Sequence, residues 1–218
     1  CTGVNKNNMN VSPSKENILK KIRKALSHPT PLPFPQSEGN QPIFHPLKQE
    51  IEVEFAEQFT KLLGKFVFCI NEQELAFQLS SLIKKMDWQK IYAPEKKMHA
   101  AWASVNDSVT ASSSEDCDVA ITGCEYLIAR TGSILLTSAQ AGGRSTSVYA
   151  PIHICIATTS QLVYDIKDAL QGIQRKYKDK LPSLITLATG PSRTADIEKT
   201  LVVGVHGPKE VYLFLLED

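Results

Sequence analysis

The feature that most constrains this chain is a regular alternation of helical and strand-like apolar patterns with short connections. Ile51, Phe55, Phe59, Leu62 and Leu63 repeat at helical spacing until Gly64 stops the pattern. The run Phe66 to Ile70 follows, apolar on both faces as a buried strand requires. Asn71 with Glu74 three residues on reads as a capping box, and Leu75, Leu79, Leu82, Ile83 and Met86 form the apolar face of the helix it opens. A short strand over Lys90 to Ala93 closes the sequence. Helix, strand, helix and strand in succession predict an α/β fold built on a mostly parallel sheet.

Further along, Val119 to Thr122, Tyr126 to Ala129 and Ser133 to Thr137 are short apolar runs, crowded enough to predict a hairpin or meander within the sheet. Pro151 to Ala157 reads as a strand. Ser160 is then expected to cap a helix carrying Leu162, Val163, Ile166, Leu170 and Ile173. Ser183 to Ala188 and Val211 to Leu216 are the last two strands. Residues 104–114 are polar and read as a loop.

Ahead of this domain, expected over 47–218, residues 1–46 read as an extension. Ser12 and Pro13 open a helix running to about Ser27, with Ile18, Leu19, Ile22 and Leu26 on one stripe and Lys15, Lys20, Lys21, Arg23 and Lys24 on the other side. A proline-rich linker follows. The basic side reads as a solvated face of a docked helix, with a membrane-surface helix as the alternative.

Composition narrows the function classes. The 218 residues are 42% hydrophobic and 22% charged, which excludes disordered and collagenous classes. A formal charge of +1 gives no field that predicts binding to nucleic acid or anionic membranes. No run reaches the roughly 20 apolar residues of a spanning helix. The five cysteines form no Cys-x-x-Cys pair, so zinc or an iron–sulfur cluster has no motif here, and they are expected as reduced thiols. The expected location is cytoplasmic, with a lipid anchor through Cys1 as the alternative.

Three loop blocks carry the candidate chemistry. Thr189 to Glu198, with Gly190, Ser192, Arg193, Thr194 and Asp196, follows a strand expected to be buried and is expected to feed a short helix. Free amides there and the planar Arg193 guanidinium suit a carboxylate or phosphate, and they equally suit a capped turn. Gly204 to Pro208 is a tight turn whose Gly204 and Gly207 flank His206, read either as a hydrogen-bonded structural residue or as a proton acceptor. The third block joins Arg144 and Ser145 after paired glycines, with His153 beyond and with Glu125 and Thr131-Gly132-Ser133 upstream. No Walker loop, dinucleotide fingerprint, zincin or hydrolase-elbow motif occurs.

Gly123 to Gly132, Arg144 with Pro151 to Ile154, and T-G-P-S-R-T-A-D-I-E ending in G-V-H-G-P resemble the LUD domain, and the lactate utilization protein C family within it. The resemblance covers about residues 45–218. It implies a three-layer fold akin to the ribose-phosphate isomerase and CoA-transferase-like superfamily, and a part in bacterial oxidation of L-lactate to pyruvate. It also implies iron–sulfur partner subunits that would hold any cluster, with no cofactor in this chain. On this reading Thr131, Gly132, Ser133, Arg144, Ser145, Gly190, Ser192, Arg193, Thr194, Gly204 and Gly207 are the expected ligand-binding positions, lining one anion pocket. His206, His153, Asp196 and Glu125 are the candidates for proton transfer. Two rivals remain open: a non-catalytic assembly or regulatory subunit for the iron–sulfur partners, and a stand-alone binder or enzyme for a phosphorylated or CoA-linked metabolite.

Overall fold

The computed structural model describes residues 13–27, 47, 49–95, 111–142, 145–195, 201–204 and 206–218. The chain divides into two units, Cys1–His45 and Pro46–Asp218. Within the first, α1 spans Pro13–Leu26, with Glu16 in its first turn and Arg23 and Lys24 in its last, as the helix dipole favours. Ile18 and Ile22 are exposed on it.

The second unit opens with α2 (Ile51–Lys61), β1 (Lys65–Cys69) and α3 (Glu72–Met86), as the periodicity predicts. The Asn71 side chain accepts the Glu74 amide at 2.8 Å. Glu74 does not complete the expected box: it reaches one residue further and accepts the Ile70 amide at 3.0 Å. Replacing Asn71 with Ala strands a helical N–H and is expected to cost about 1 kcal/mol, read as a lower urea midpoint at unchanged slope.

A five-stranded parallel sheet organises this unit, in the order β1, β11 (Glu210–Leu216), β6 (Ile152–Thr158), β3 (Val119–Thr122), β2 (Ile91–Tyr92). The central strands are apolar on both faces because both are covered. One face sets Ile121, Ile154 and Phe214 against Leu75, Leu79 and Ile83 of α3. The other sets Cys155, Ala157, Leu213 and Leu215 against Phe55 and Phe59 of α2 and against a second sheet. That second sheet runs β7 (Leu162–Val163), β4 (Tyr126–Ile128), β5 (Ser133–Thr137), β8 (Ile185–Ala188). Helix, sheet, and α2 with the second sheet make three layers. Helix α5 (Ile166–Tyr177) packs outside them through Ala169 and Ile173 against Ile128 and Leu135.

Three local expectations change. The β4–β5 hairpin exists but belongs to the second sheet, because Leu127 and Ile134 must cover the first one. Ser160 caps no helix. Thr159–Gln161 is a 3-10 turn, Leu162 and Val163 pair with β4, and α5 starts at Asp165, whose carboxylate accepts the Lys167 amide with Asp168 returning to the Asp165 amide. After Gly190 the chain forms no short helix but a strand, β9 (Arg193–Ala195), antiparallel to β10 (Leu201–Val203). The strand before it, β8, lies at the sheet edge with Leu187 exposed, so it is not the buried strand expected there.

Candidate functional site

Most of the predicted loop residues do meet, and they meet around the end of α2. Gly132 has φ +58° and sits so close to the helix that an added Cβ would lie 2.5 Å from the Phe59 amide nitrogen. Ser133 Oγ lies 2.8 Å from Thr131 Oγ1 and 2.9 Å from Thr189 Oγ1. Gly190, with φ +77°, abuts the Leu62 carbonyl, and the exposed Arg193 donates to that same oxygen at 3.0 Å. A cation on the last carbonyls of a helix is a favourable C-terminal contact. Ser192 donates its amide to the Pro208 carbonyl, and Gly204 donates its own to the Ser192 carbonyl. Gly207 packs on the Ser192 side chain, and His206 stands exposed in the same turn.

This cluster lies toward the amino ends of the parallel strands. Leu62 precedes β1 by three residues, and Lys209 donates to the Pro151 carbonyl immediately before β6. Ser145 is elsewhere: its carbonyl accepts the Val148 and Tyr149 amides and so opens α4 (Thr146–Tyr149). Arg144 and Asp196 lie outside the described residues, as does the Thr194 side chain.

The carboxyl ends of β3, β6 and β11 frame a different feature, a cavity of about 570 Å3 lined by Glu95, Cys124, Glu125, Thr158, Gln161 and Lys176, among others. Carboxyl strand ends are where open parallel sheets hold ligands, because the loops diverge there. Glu125 comes from the open end of the β4–β5 hairpin, while Thr131 to Ser133 form its closed end, so the hairpin's length separates them. Glu125 accepts hydrogen bonds from Lys176 Nζ at 2.6 Å, Tyr177 Oη at 2.6 Å and Thr137 Oγ1 at 3.1 Å. Burial pushes its carboxyl up, but these donors and the Lys176 charge outweigh burial and hold it below the usual range.

Glu95 shows the opposite balance. Burial, reinforced by the Glu125 charge, raises its carboxyl despite the Gly123 amide that donates to it at 3.1 Å. The cavity therefore contains two carboxyls driven apart in acidity, the pattern that separates a proton donor from an ionised acceptor. Gln161 braces the wall by donating to the Cys124 carbonyl at 2.6 Å. A larger groove of about 720 Å3 between α2 and β1 is lined by Val53, Phe66 and Phe68 with surface acids, and among its lining residues there is no histidine, cysteine or lysine.

His153 is wholly buried in β6, outside the cavity lining, with Nε2 2.8 Å from Thr122 Oγ1. Its Nδ1 is the one buried side-chain polar atom without a partner among the described residues. Glu95, Gln161, Lys176 and Tyr177 were not legible as site residues. Only Glu95 carries a sequence signal, its position directly past a strand.

Comparison with known proteins fixes the family. A sequence model of the LUD domain matches residues 14–216, nearly the whole chain. This chain belongs to the LUD domain family. A lactate utilization protein C of Exiguobacterium is 29% identical over 94% of this chain and 96% of its own length. One of Halalkalibacterium halodurans is 32% identical over 57% of this chain and 55% of its own length, and an uncharacterized Neisseria meningitidis protein is 36% identical over 46% and 43%. The matched region thus spans about half the length of these last two. A crystal structure of a DUF162 family protein from Deinococcus radiodurans shares the fold, with a TM-score of 0.55 and 18% identity over 76% of this LUD chain and 96% of that one.

Proposed function

We propose that this chain serves lactate utilization, as the component that carries no cluster in a system oxidising L-lactate to pyruvate, and that its small-molecule site is the Glu95–Glu125 cavity. The near full-length similarity to a lactate utilization protein C supports the first part. The second part rests on a single observation: two carboxyls with opposed acidities share one cavity at the carboxyl edge of the parallel sheet. Glu125, held low beside Lys176, and Glu95, raised by burial, give the cavity a stronger and a weaker acid, which suits proton exchange on a hydroxy or keto acid. Electrons leaving such a substrate would pass to iron–sulfur partner subunits.

The exposed Arg193 favours a second role for the loop cluster, anion or partner docking at the opposite sheet edge. One of its terminal nitrogens is spent on the Leu62 carbonyl, and the guanidinium retains further donors for a carboxylate.

The test is growth on L-lactate of a Bacillus subtilis strain lacking its own lactate utilization protein C, which is 33% identical to this chain over 144 residues. This chain is expected to restore growth. Glu125→Gln, at unchanged protein level, is expected to abolish it, whereas Arg193→Ala removes it only if the loop cluster also contributes. Full growth with both Glu125→Gln and Glu95→Gln would sink the cavity assignment.

A further inference from the structure

We propose that the open edge of the parallel sheet at β1 takes an extended segment of another protein as an added strand, one that alternates arginine or lysine with small apolar residues. The sheet ends at β1, whose only strand partner among the described residues is β11. The register fixes which of its polar groups are spent. The Glu217 amide donates to the Cys69 carbonyl at 2.9 Å, and along a strand the N–H and C=O of successive residues point to alternate sides. Cys69, Val67 and Lys65 therefore turn theirs to β11, while Phe66 and Phe68 each turn one amide and one carbonyl outward. Ile70, next in the outward series, already donates its amide to Glu74 at 3.0 Å. Unspent edge groups of this kind are the template on which an incoming strand builds its ladder.

Both faces beside this edge leave room for the side chains of such a strand. Side chains of β1 alternate, Phe66 packing toward α2 and Val67 toward α3. On the α2 side Phe66 and Phe68 floor the groove of about 720 Å3, and Phe68 is 40% exposed. On the α3 side Val67, Leu82 and Phe214 line a cavity of about 260 Å3, with Lys65 and Lys85 also in its lining. A strand laid about 4.8 Å from β1 sends alternate side chains over the two, which is how edge pairing reads a sequence. The smaller, lysine-lined cavity suits a small apolar residue and disfavours a cation.

Charge selects what enters the larger groove. Five side-chain carboxylates and no cation line it. Glu57 pairs with Lys61 at 3.8 Å and Asp218 accepts the Ser160 amide at 2.6 Å, while Glu50, Glu52 and Glu217 have no ion-pair partner among the described residues. An arginine or lysine lays its apolar stem on Phe68 and carries its charged head to those acids. A second copy of this chain fits less well. Antiparallel pairing of two β1 strands about a twofold axis sets one sheet face beside its equivalent, so the acidic lining of each copy would meet the other's, acid against acid. The surface is separate from the Glu95–Glu125 cavity, with which the groove shares no lining residue.

The experiment titrates the full chain into a fluorescein-labelled peptide of alternating arginine and valine, reading anisotropy for binding and nuclear magnetic resonance for amide exchange. The native chain is expected to bind, and exchange at Phe66 and Phe68 to slow at saturation while Val67, already in the ladder, changes little. The same peptide methylated at every backbone nitrogen keeps its charge, loses its ladder donors and should bind about tenfold more weakly. Phe68→Pro removes an outward amide that the β1–β11 ladder does not use and should weaken binding by a similar factor. Glu52→Lys combined with Glu217→Lys leaves the backbone edge intact and should also weaken binding, which keeps the proposal exposed to test if Phe68→Pro does not fold. No binding to the native chain, equal binding of the methylated peptide, or binding that the charge-reversed variant leaves unchanged would overturn the proposal. So would a native dimer that Phe68→Pro abolishes, since the edge would then belong to a second copy.

Discussion

Replacing Gly132 with Ala is expected to deprive the chain of its fold. Two costs coincide at this position. The residue has φ +58°, the left-handed region that a side chain with a Cβ occupies only with strain. The new methyl group would also lie 2.5 Å from the Phe59 nitrogen and 2.6 Å from the Gln58 carbonyl carbon, both of them backbone atoms near the C-terminal end of α2. A flexible side chain could move aside, but a helix backbone moves only with the helix. Phe55 and Phe59, both fully buried, anchor that helix to the parallel sheet, so shifting it opens the largest apolar cluster on that face. Together these place the loss at about 4 kcal/mol or more, most of a small domain's stability. Purified Gly132→Ala should show a collapsed thermal transition or none. Ser133→Ala, at the next residue along the chain, removes only hydroxyl contacts to Thr131 and Thr189 and should cost about 1 kcal/mol. Equal and small losses in the two variants would show that α2 does not press on this loop.

The same glycine illustrates what the sequence reveals and what it withholds. Periodicity locates α2, α3 and the parallel strands because each depends on neighbours within a turn or two of chain. The α/β class follows from that alternation. Strand order does not: β11 inserts between β1 and β6, so its partners stand 145 residues away in the Lys65–Glu210 pair that ties the strand starts. A glycine in a polar loop answers equally well to a bound ligand and to a helix packed against it, and only the contact with Gln58 and Phe59 reveals the second cause. Glu125 was visible as a candidate. Its partners were not, since Lys176 and Tyr177 reach it from the far end of α5 across 51 and 52 residues, with no local pattern to mark them. The Leu162-Val163 pair was read as helical because apolar residues at that spacing fit either period. Its strand state depends on Leu127 and Ile128 lying alongside.

His153 makes the stability of this chain dependent on mild acid. Desolvation in β6 lowers its imidazole from the ordinary 6.5 to about 4, since a charged ring there would lose water and gain no opposite charge. Nε2 meets Thr122 Oγ1, and Nδ1 has no partner among the described residues to welcome a proton. The sign follows from proton counting. Between pH 6.5 and 4 the unfolded chain binds a proton at this residue and the folded chain does not, so stability falls as pH falls through that window and is flat above it. The shift corresponds to about 3 kcal/mol lost by its lower end. Glu95 opposes this near the bottom, because its raised carboxyl takes a proton in the folded state first and so favours the fold as pH drops. Glu125, Asp165 and Glu210, held low when folded, contribute losses that set in as pH falls through the normal carboxylate range and grow below it. Unfolding in urea from pH 8 to 4 should therefore show a plateau and then a decline of which His153 is the principal source above pH 5. His153→Gln keeps a polar amide for Thr122 and cannot ionise, so its profile should be flat over that interval even if its plateau is lower. Ring resonances of His153 followed by nuclear magnetic resonance should remain those of the neutral imidazole down to pH 5. A midpoint near 6.5, or a native decline that persists unchanged in His153→Gln, would mean that the ring finds a counter-charge or water when it is protonated.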